Sequence, residues 1–216
     1  MSKIIALLKA SHFGPTVLVT TIAFFFATYY WWEGPAYIIA IGVFLGQLIV
    51  GWSNDIYDYR DDLAHNREKK PLVAGTITED ELRRWMKWMI PGAFFANLFG
   101  PLGIKGGLVY MLGIACGVGY NLYFKFTVLS PLPYAIAFAA LPSCIAISKD
   151  VSPPLWMWLG GAIFGVAAHF INVLKDMKKD RLSGIQGLPQ RLGSKGSIIA
   201  ALLLITAGIM LIMYLG

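Results

Sequence analysis

Residues 198–216 read IIAALLLITAGIMLIMYLG, a stretch without Asp, Glu, Lys or Arg and without alternation of polar and apolar positions. A helix needs about 20 mostly apolar residues to cross the hydrocarbon core of a bilayer, and this stretch is close to that length. A β-barrel strand would instead be short and would alternate with a period of two. The stretch therefore predicts a membrane-spanning α-helix.

The rest of the chain has the same character. Of its 216 residues, 57% are apolar and 14% are charged, whereas a soluble domain carries about 25% charged residues. This composition excludes a disordered chain and a water-soluble enzyme, which could not cover so much apolar surface. We predict an all-α bundle of about seven spanning helices in a single domain over residues 1–216. Its helices correspond to seven stretches without Asp, Glu, Lys or Arg, at 10–32, 34–54, 88–104, 106–124, 126–148, 151–174 and 196–216.

The basic residues indicate how this integral membrane bundle is oriented. Seven spans place 16 of the 18 Lys and Arg residues on the side of the N-terminus, and only Lys105 and Lys149 on the other side. Because cytoplasmic loops are enriched in Lys and Arg, the N-terminal side is predicted to be cytoplasmic. This orientation, with attraction to anionic lipid, explains the net charge of +6. The charge gives no reason to expect a nucleic acid as a partner.

Two similar acidic motifs follow the second and the sixth predicted helices. The first reads NDIYDYRDD over residues 54–62 and the second reads NVLKDMKKD over residues 172–180. Both have the pattern Asn-x3-Asp-x3-Asp, and 118 residues separate them. A proline and a glycine after each motif recur at the same offset, which indicates a degenerate internal repeat with two equivalent helix ends.

The spacing of these motifs has a chemical meaning. Residues at i, i+4 and i+8 share one face of a helix, so each motif would present one amide and two carboxylates as a ladder. The simple interpretation is a solvated helix end paired with lysines. Against it, ionisable groups near a bilayer are rare and mark functional sites. Oxygen ligands suit Mg²⁺, and Mg²⁺ between two acidic ladders would attract a diphosphate. A diphosphate that dissolves in a membrane is an isoprenyl diphosphate.

The two motifs resemble the aspartate-rich motifs of the UbiA superfamily of intramembrane prenyltransferases. The first has the Asn-x3-Asp-x3-Asp pattern of that family. DMKKDRLSGIQGLPQRLG, residues 176–193, is similar to its Asp-x3-Asp followed by Gly and by Leu-Pro-x-Arg-Leu-Gly. The resemblance implies a helical bundle around a central cavity that opens at the cytoplasmic side, with both motifs there. The family usually has nine spanning helices, so we expect a prenyltransferase-like domain that lacks the last two.

The resemblance also implies an activity and the residues that perform it. The activity is Mg²⁺-dependent transfer of an isoprenyl group from an allylic isoprenyl diphosphate to a hydrophobic, usually aromatic, acceptor, with release of diphosphate. Two Mg²⁺ ions would be held by Asn54, Asp58, Asp62, Asp176 and Asp180, of which the four aspartates are the expected catalytic residues. The expected substrate-binding residues are Lys9, Arg67, Lys70, Tyr120, Lys125, Asn172 and Arg191.

Two of these assignments leave alternatives open. The family commonly has Tyr-x3-Lys, whereas Tyr120 and Lys125 are one residue further apart. Five residues on a regular helix differ by about 140° in direction. Either Tyr123 therefore takes the role of the tyrosine, or the helix ends before Lys125. Arg191 either binds the diphosphate or fixes its own loop.

Three other polar residues carry weaker hypotheses. His169 precedes Asp176 by seven residues, about two turns of the same helix face, which would allow a role in proton transfer. A hydrogen-bonded histidine inside the bundle is the favoured alternative. Asp55 and Asp61 lie off the ladder of the first motif, and we expect them to pair with Arg60 or Lys70.

Two other functions compete with prenyl transfer. A terpene cyclase of the same fold would capture the allylic cation with double bonds of its own substrate, and the sequence does not distinguish the two reactions. A cation transporter would place acidic residues near the middle of the membrane in broken helices. The motif aspartates instead follow the charge-free stretches, at predicted helix ends, so the transporter is disfavoured.

The predicted topology can be tested by chemical labelling of lysines from either side of the membrane. We expect a reagent that does not cross membranes to label Lys70 and Lys178 from the cytoplasmic side and Lys149 from the opposite side. Labelling of Lys70 and Lys178 from opposite sides would contradict a site that both motifs share.

Overall fold

The computed structural model describes residues 2–216, which form helices and connecting turns without any strand. A short 3-10 helix, Phe124–Phe126, separates the fifth and sixth α-helices. The α-helices are α1 Lys3–Ala10, α2 Phe13–Tyr30, α3 Glu33–Ala64, α4 Glu79–Leu98, α5 Gly103–Leu122, α6 Pro131–Ile147, α7 Leu155–Leu174, α8 Met177–Leu182 and α9 Leu188–Leu215.

The predicted all-α membrane bundle is confirmed, since each charge-free stretch overlaps one long helix. Five helices, α2, α3, α5, α7 and α9, are both long and apolar enough to cross a membrane. Helix α6 has 17 residues, and the first half of α4 is charged. The total number of spans therefore stays a prediction.

Local sequence explains where some of these helices begin. Helix α4 starts at a capping box, in which the Thr78 hydroxyl accepts a hydrogen bond from the Glu81 amide and the Glu81 carboxylate accepts one from the Thr78 amide. The charge-free stretch 10–32 is divided at Ser11 and His12, where His12 has a left-handed backbone with φ of 54°. Because no charged residue lies at this break, a prediction from charge-free length alone includes the turn in a single span.

Helix α3 is the centre of the amino-terminal half of the bundle. It packs against α1, α2, α4 and α5, whereas α6 lies between α5 and α7 and also contacts α2. Two buried polar side chains tie α3 to its neighbours: the Asn97 amide donates to the Gly42 carbonyl at 3.0 Å, and the Tyr110 hydroxyl donates to the Val43 carbonyl at 2.8 Å. Helix α9 packs against α7 and α8, and most of its surface is exposed.

The first acidic motif follows a close contact between α1 and α3. The Trp52 indole donates to the Leu7 carbonyl at 2.9 Å. Gly51 lies so near the turn after α1 that a Cβ atom on it would be 2.2 Å from the Ser11 carbonyl oxygen. A side chain at position 51 would therefore push α1 away from the helix that carries the motif.

Replacing this glycine tests the importance of the contact. We expect Gly51→Ala to lower the free energy of unfolding by about 1–3 kcal/mol, the usual cost of overpacking. Unfolding of the purified protein in mixed detergent micelles would measure it. The matched control is Gly92→Ala, because a Cβ atom there meets nothing within 4 Å. Equal stability of the two variants would contradict the close packing of α1 on α3.

Candidate functional site

The first motif forms the predicted ladder. Helix α3 continues without interruption to Ala64, so Asn54, Asp58 and Asp62 share one face. The Asn54 amide donates to Asp58 Oδ2 at 3.0 Å, as residues one helical turn apart can. This part of the predicted site geometry is confirmed.

Asp58 is paired with a buried lysine. The ammonium of Lys125, whose residue is only 3% exposed, forms an ion pair with Asp58. Helix α5 ends at Leu122, and Lys125 lies in the following 3-10 turn. The second alternative for the Tyr-Lys spacing is therefore the correct one: the helix ends before the lysine. The Lys125 ammonium also lies 5.3 Å from the centroid of the Tyr57 ring.

Two further cations neutralise the acids of α3. Asp62 is 1% exposed and accepts from Arg67 Nη1 at 2.7 Å. Lys70 Nζ lies 3.5 Å from Asp62 Oδ2 and forms an ion pair with the buried Asp55. Burial alone would lower the pKa of Lys70, but the carboxylates of Asp55 and Asp62 outweigh it, so the pKa lies above its usual value. The expected pairing of Asp55 with Lys70 is confirmed.

The second motif does not form a continuous ladder, so the sequence prediction was wrong here. Helix α7 ends at Leu174 and α8 begins at Met177. Asp176 lies between them with φ of −111° and ψ of 0°, and its amide donates to the Val173 carbonyl three residues earlier. Asn172 therefore lies on a different helix from Asp180. Its amide donates to the Tyr134 hydroxyl at 3.3 Å.

The amphipathic character of this segment gives a physical reason for the break. Met177 is buried, and Ser194 Oγ in α9 lies 3.2 Å from its sulfur. Lys175, Lys178 and Lys179 are exposed. The turn before α8 allows the apolar residue to pack against the next helix while the lysines stay solvated.

The two motifs nevertheless meet at the same end of the bundle. Ser183, just after α8, donates to Asp61 Oδ2 at 2.7 Å and accepts from Arg67 Nη2 at 3.0 Å. Asp61 thus pairs with Arg67, 3.3 Å away, instead of Arg60 or Lys70. Arg67 therefore joins the loop after the first motif to the loop after the second.

The second motif is less well neutralised than the first. Asp176 has a single cation at 3.8 Å, the exposed Lys179. Burial raises the pKa of Asp180, opposed by a hydrogen bond from Gln190. Nearby Asp176 raises this pKa further, while Arg67 and Lys125 lower it. Both cations thus lie close enough to act on both motifs.

The donor atoms of the two motifs fit Mg²⁺ by their chemistry. They are carboxylate and amide oxygens, the ligands that hard cations prefer, and the pair Asp176 and Asp180 carries negative charge that calls for a cation. Within residues 2–216, no three acidic, His or Cys side chains are already gathered around one point. A metal ion that reached Asp58 as well would compete with Lys125 for this carboxylate.

Tyr120, and not Tyr123, lies inside the bundle. The Tyr120 ring packs edge-on against the rings of Tyr134 and His169, with centroids 5.1 and 5.3 Å away. Tyr123 is 63% exposed. His169 Nε2 lies 3.0 Å from Ser130 Oγ, which supports the hypothesis of a hydrogen-bonded bundle histidine.

Three expected substrate-binding residues do not lie among the acids in this structure. Lys9 is exposed and forms no ion pair with any residue of the described range 2–216. Arg191 donates through Nε to the Gln186 carbonyl at 3.0 Å, which favours a role in fixing its loop. Asn172 contacts Tyr134, as described above. Their binding of substrate stays a prediction.

Sequence reasoning missed three polar residues that contact the motifs. Gln190 donates to Asp180 Oδ2 at 2.8 Å. His12 Nε2 lies 2.9 Å from the Asn54 carboxamide oxygen. Asn121 donates to the Val50 carbonyl at 2.9 Å and lies next to Asn54. Asn121 could have been found, because it is an amide within an otherwise apolar predicted span.

Comparison with known proteins shows the family and the fold of this chain. The model of the UbiA prenyltransferase family matches residues 17–216. The chain belongs to this family. Its fold is similar to that of a digeranylgeranylglyceryl phosphate synthase in membranes, with TM-score 0.70 and 17% identity over 98% of this chain and 76% of the other. It is also similar to a UbiA homologue from Archaeoglobus fulgidus bound to GPP and Mg²⁺, with TM-score 0.79 and 16% identity over 99% and 77%. No curated protein sequence matches it significantly.

The family match supports the prenyltransferase interpretation of the two motifs. The predicted central cavity and its opening at the cytoplasmic side stay predictions. The roles of the individual site residues also stay predictions, since similarity at these identities shows the fold alone.

The buried ion pair between Lys125 and Asp58 can be tested through stability. We expect Lys125→Met to lower the free energy of unfolding by about 1–3 kcal/mol, because it leaves the partly buried Asp58 carboxylate without its cation. Lys87→Met removes the same charge from an exposed residue of α4 and should change the stability by less than about 0.5 kcal/mol. Adding Asp58→Asn to Lys125→Met should recover part of the loss, and strictly additive effects would contradict the pairing.

Proposed function

We propose that this protein transfers an isoprenyl group from an allylic isoprenyl diphosphate to a hydrophobic acceptor within the membrane and releases diphosphate in a Mg²⁺-dependent reaction. An aromatic acceptor is the expected one. The observation that carries the proposal is the meeting of two acidic motifs, with Arg67 and Lys125 beside both, at one end of an apolar bundle.

The arrangement suits ionisation of a membrane-soluble diphosphate. In the proposed reaction the bond between the allylic carbon and the diphosphate oxygen breaks, and the electron pair leaves with the diphosphate. An acceptor atom then donates an electron pair to the allylic carbon and loses a proton. Mg²⁺ would supply neutralisation of the charge that develops on the leaving group. Asp58, Asp62, Asp176 and Asp180, with Asn54, would hold it.

The basic residues of the site have a matching role. Arg67 and Lys125 would donate hydrogen bonds to diphosphate oxygens and so stabilise the leaving group. Lys125 would be available to do so where Mg²⁺, and not this ammonium, neutralises Asp58. Lys70 would then keep Asp55 and Asp62 neutralised.

The surroundings of the acids suit a hydrophobic substrate. The rings of Tyr120 and Tyr134, which are partly buried, form an aromatic cluster with the buried His169, and the faces of such rings stabilise positive charge. That the Archaeoglobus fulgidus homologue was solved with GPP and Mg²⁺ supports a prenyl diphosphate and Mg²⁺ in this protein also. The charge distribution supports a site that faces the cytoplasm.

Neutralising one aspartate of each motif tests the shared site. We expect Asp58→Asn and Asp176→Asn each to reduce turnover of allylic diphosphates at least about a hundredfold, because the loss of metal-held charge costs several kcal/mol in the barrier. The assay would measure diphosphate release by purified protein with Mg²⁺ and a panel of prenyl chain lengths, with and without aromatic acceptors. Higher Mg²⁺ should partly restore both variants.

The matched control is Asp80→Asn, which removes one exposed carboxylate at the start of α4. Its turnover should stay within about twofold of the unmodified protein. If Asp176→Asn keeps near-normal turnover while Asp58→Asn is inactive, the shared site is wrong. Hydrocarbon formed without an acceptor would indicate the cyclase instead.

A further inference from the structure

Gln190 is a buried amide in direct contact with the second motif. It lies in the Leu-Pro-Gln-Arg segment that begins α9 and is 5% exposed. Its Nε2 donates to Asp180 Oδ2 at 2.8 Å, while its Oε1 is buried and has no hydrogen-bond partner within residues 2–216. An unpartnered buried amide oxygen is unfavourable, and this geometry therefore calls for a role beyond packing.

The orientation of this amide follows from charge. If the amide were rotated by 180°, its oxygen would face a carboxylate oxygen at 2.8 Å and repel it. The N–H group must therefore face Asp180 as long as that carboxylate is ionised. One carboxylate oxygen is thereby occupied, and the other oxygen stays available to a ligand.

The same arrangement exists in the first motif. There the Asn54 amide donates to Asp58 Oδ2 at 3.0 Å. The repeat in the sequence assigns the equivalent role in the second motif to Asn172, but Asn172 is exposed and contacts Tyr134. In the structure, Gln190 makes the contact with the second carboxylate that the sequence repeat predicts for Asn172.

We propose that Gln190 is a positioning residue that orients the Asp180 carboxylate for a divalent cation. This inference rests on the metal site of the proposed function. Partners that hold a metal-binding carboxylate in one direction typically change metal affinity by about 10–100-fold when they are removed. Gln190 is thus the counterpart of Asn54, supplied by the first turn of α9.

The backbone around Gln190 holds its side chain in place. Arg181 Nη2 donates to the Gln190 carbonyl at 3.3 Å. Gly187 approaches so closely that a Cβ atom on it would be 2.7 Å from both Gln190 Oε1 and Ser130 Oγ. Because these contacts restrict the side chain, its N–H group is already directed at Asp180 before a metal ion arrives.

Cation binding without turnover tests this inference. Mn²⁺ would replace Mg²⁺, and electron paramagnetic resonance would measure the free Mn²⁺ that remains in the presence of the purified protein in detergent with inorganic diphosphate. We expect Gln190→Met, which preserves the length of the side chain, to weaken Mn²⁺ binding at least about tenfold. The matched control is Gln186→Met in the turn just before α9, where the side chain is exposed. Its Mn²⁺ affinity should change less than about twofold.

A double-mutant cycle separates positioning from a purely structural role. If Gln190 acts through Asp180, Gln190→Met should have almost no effect on Mn²⁺ affinity in an Asp180→Asn background. An equal loss of affinity in both backgrounds, or unchanged affinity in Gln190→Met, would overturn the inference. If Gln190→Met does not fold, Gly187→Ala displaces the same amide and should weaken binding in the same way, again only when Asp180 is present.

The two proposals fail in different ways. Protein that binds Mn²⁺ through Asp180 and Gln190 but turns over no allylic diphosphate would contradict the proposed function and leave this inference intact. Protein that transfers isoprenyl groups but binds Mn²⁺ equally well after Gln190→Met would contradict this inference and leave the proposed function intact.

Discussion

The structure depends on the need to neutralise carboxylates that one helix carries out of the apolar layer. Asp55 and Asp62 are 2% and 1% exposed, and an unpaired charge so deeply buried would destabilise the fold by several kcal/mol. The cations come from other segments: Arg67 and Lys70 from the loop after α3, and Lys125 from the turn after α5. The same ion pairs therefore fold the connecting loops over the end of the bundle.

This requirement is met unequally in the two halves. The acids of the first motif are paired with three cations, whereas Asp180 is held mainly by an amide and Asp176 by one distant, exposed lysine. In the proposed function, a cation would gain more from Asp176 and Asp180 than from Asp58, where it would compete with the Lys125 ammonium. The second motif would then be the favoured first contact of a metal ion, and a Lys125 that no longer pairs with Asp58 would be available to an anion.

The parts of this arrangement that the sequence predicts are those governed by local rules. Charge-free stretches locate the long helices because apolar length is a property of the sequence alone. The ladder of Asn54, Asp58 and Asp62 follows from the helical period because α3 does not break. The same rule fails for Asp176 because α7 ends at Leu174, before this residue. The break accompanies the packing of Met177 against α9, which is a contact between segments distant in the sequence. The partners of Gln190 and Ser183 depend on how loops meet, which no local pattern encodes.

The internal repeat therefore relates equivalent positions in the sequence, but the residues at those positions do not make the same contacts. An offset of 118 residues relates Asn54 to Asn172, yet the amide next to the second carboxylate belongs to Gln190, in the first turn of α9. A continuous helix supplies the amide one turn before the acid, whereas a broken helix must obtain it from elsewhere. What unites the motifs is that Arg67 and Lys125 lie beside both. A change of charge in either motif therefore alters the field at the other, as the proposed shared site requires.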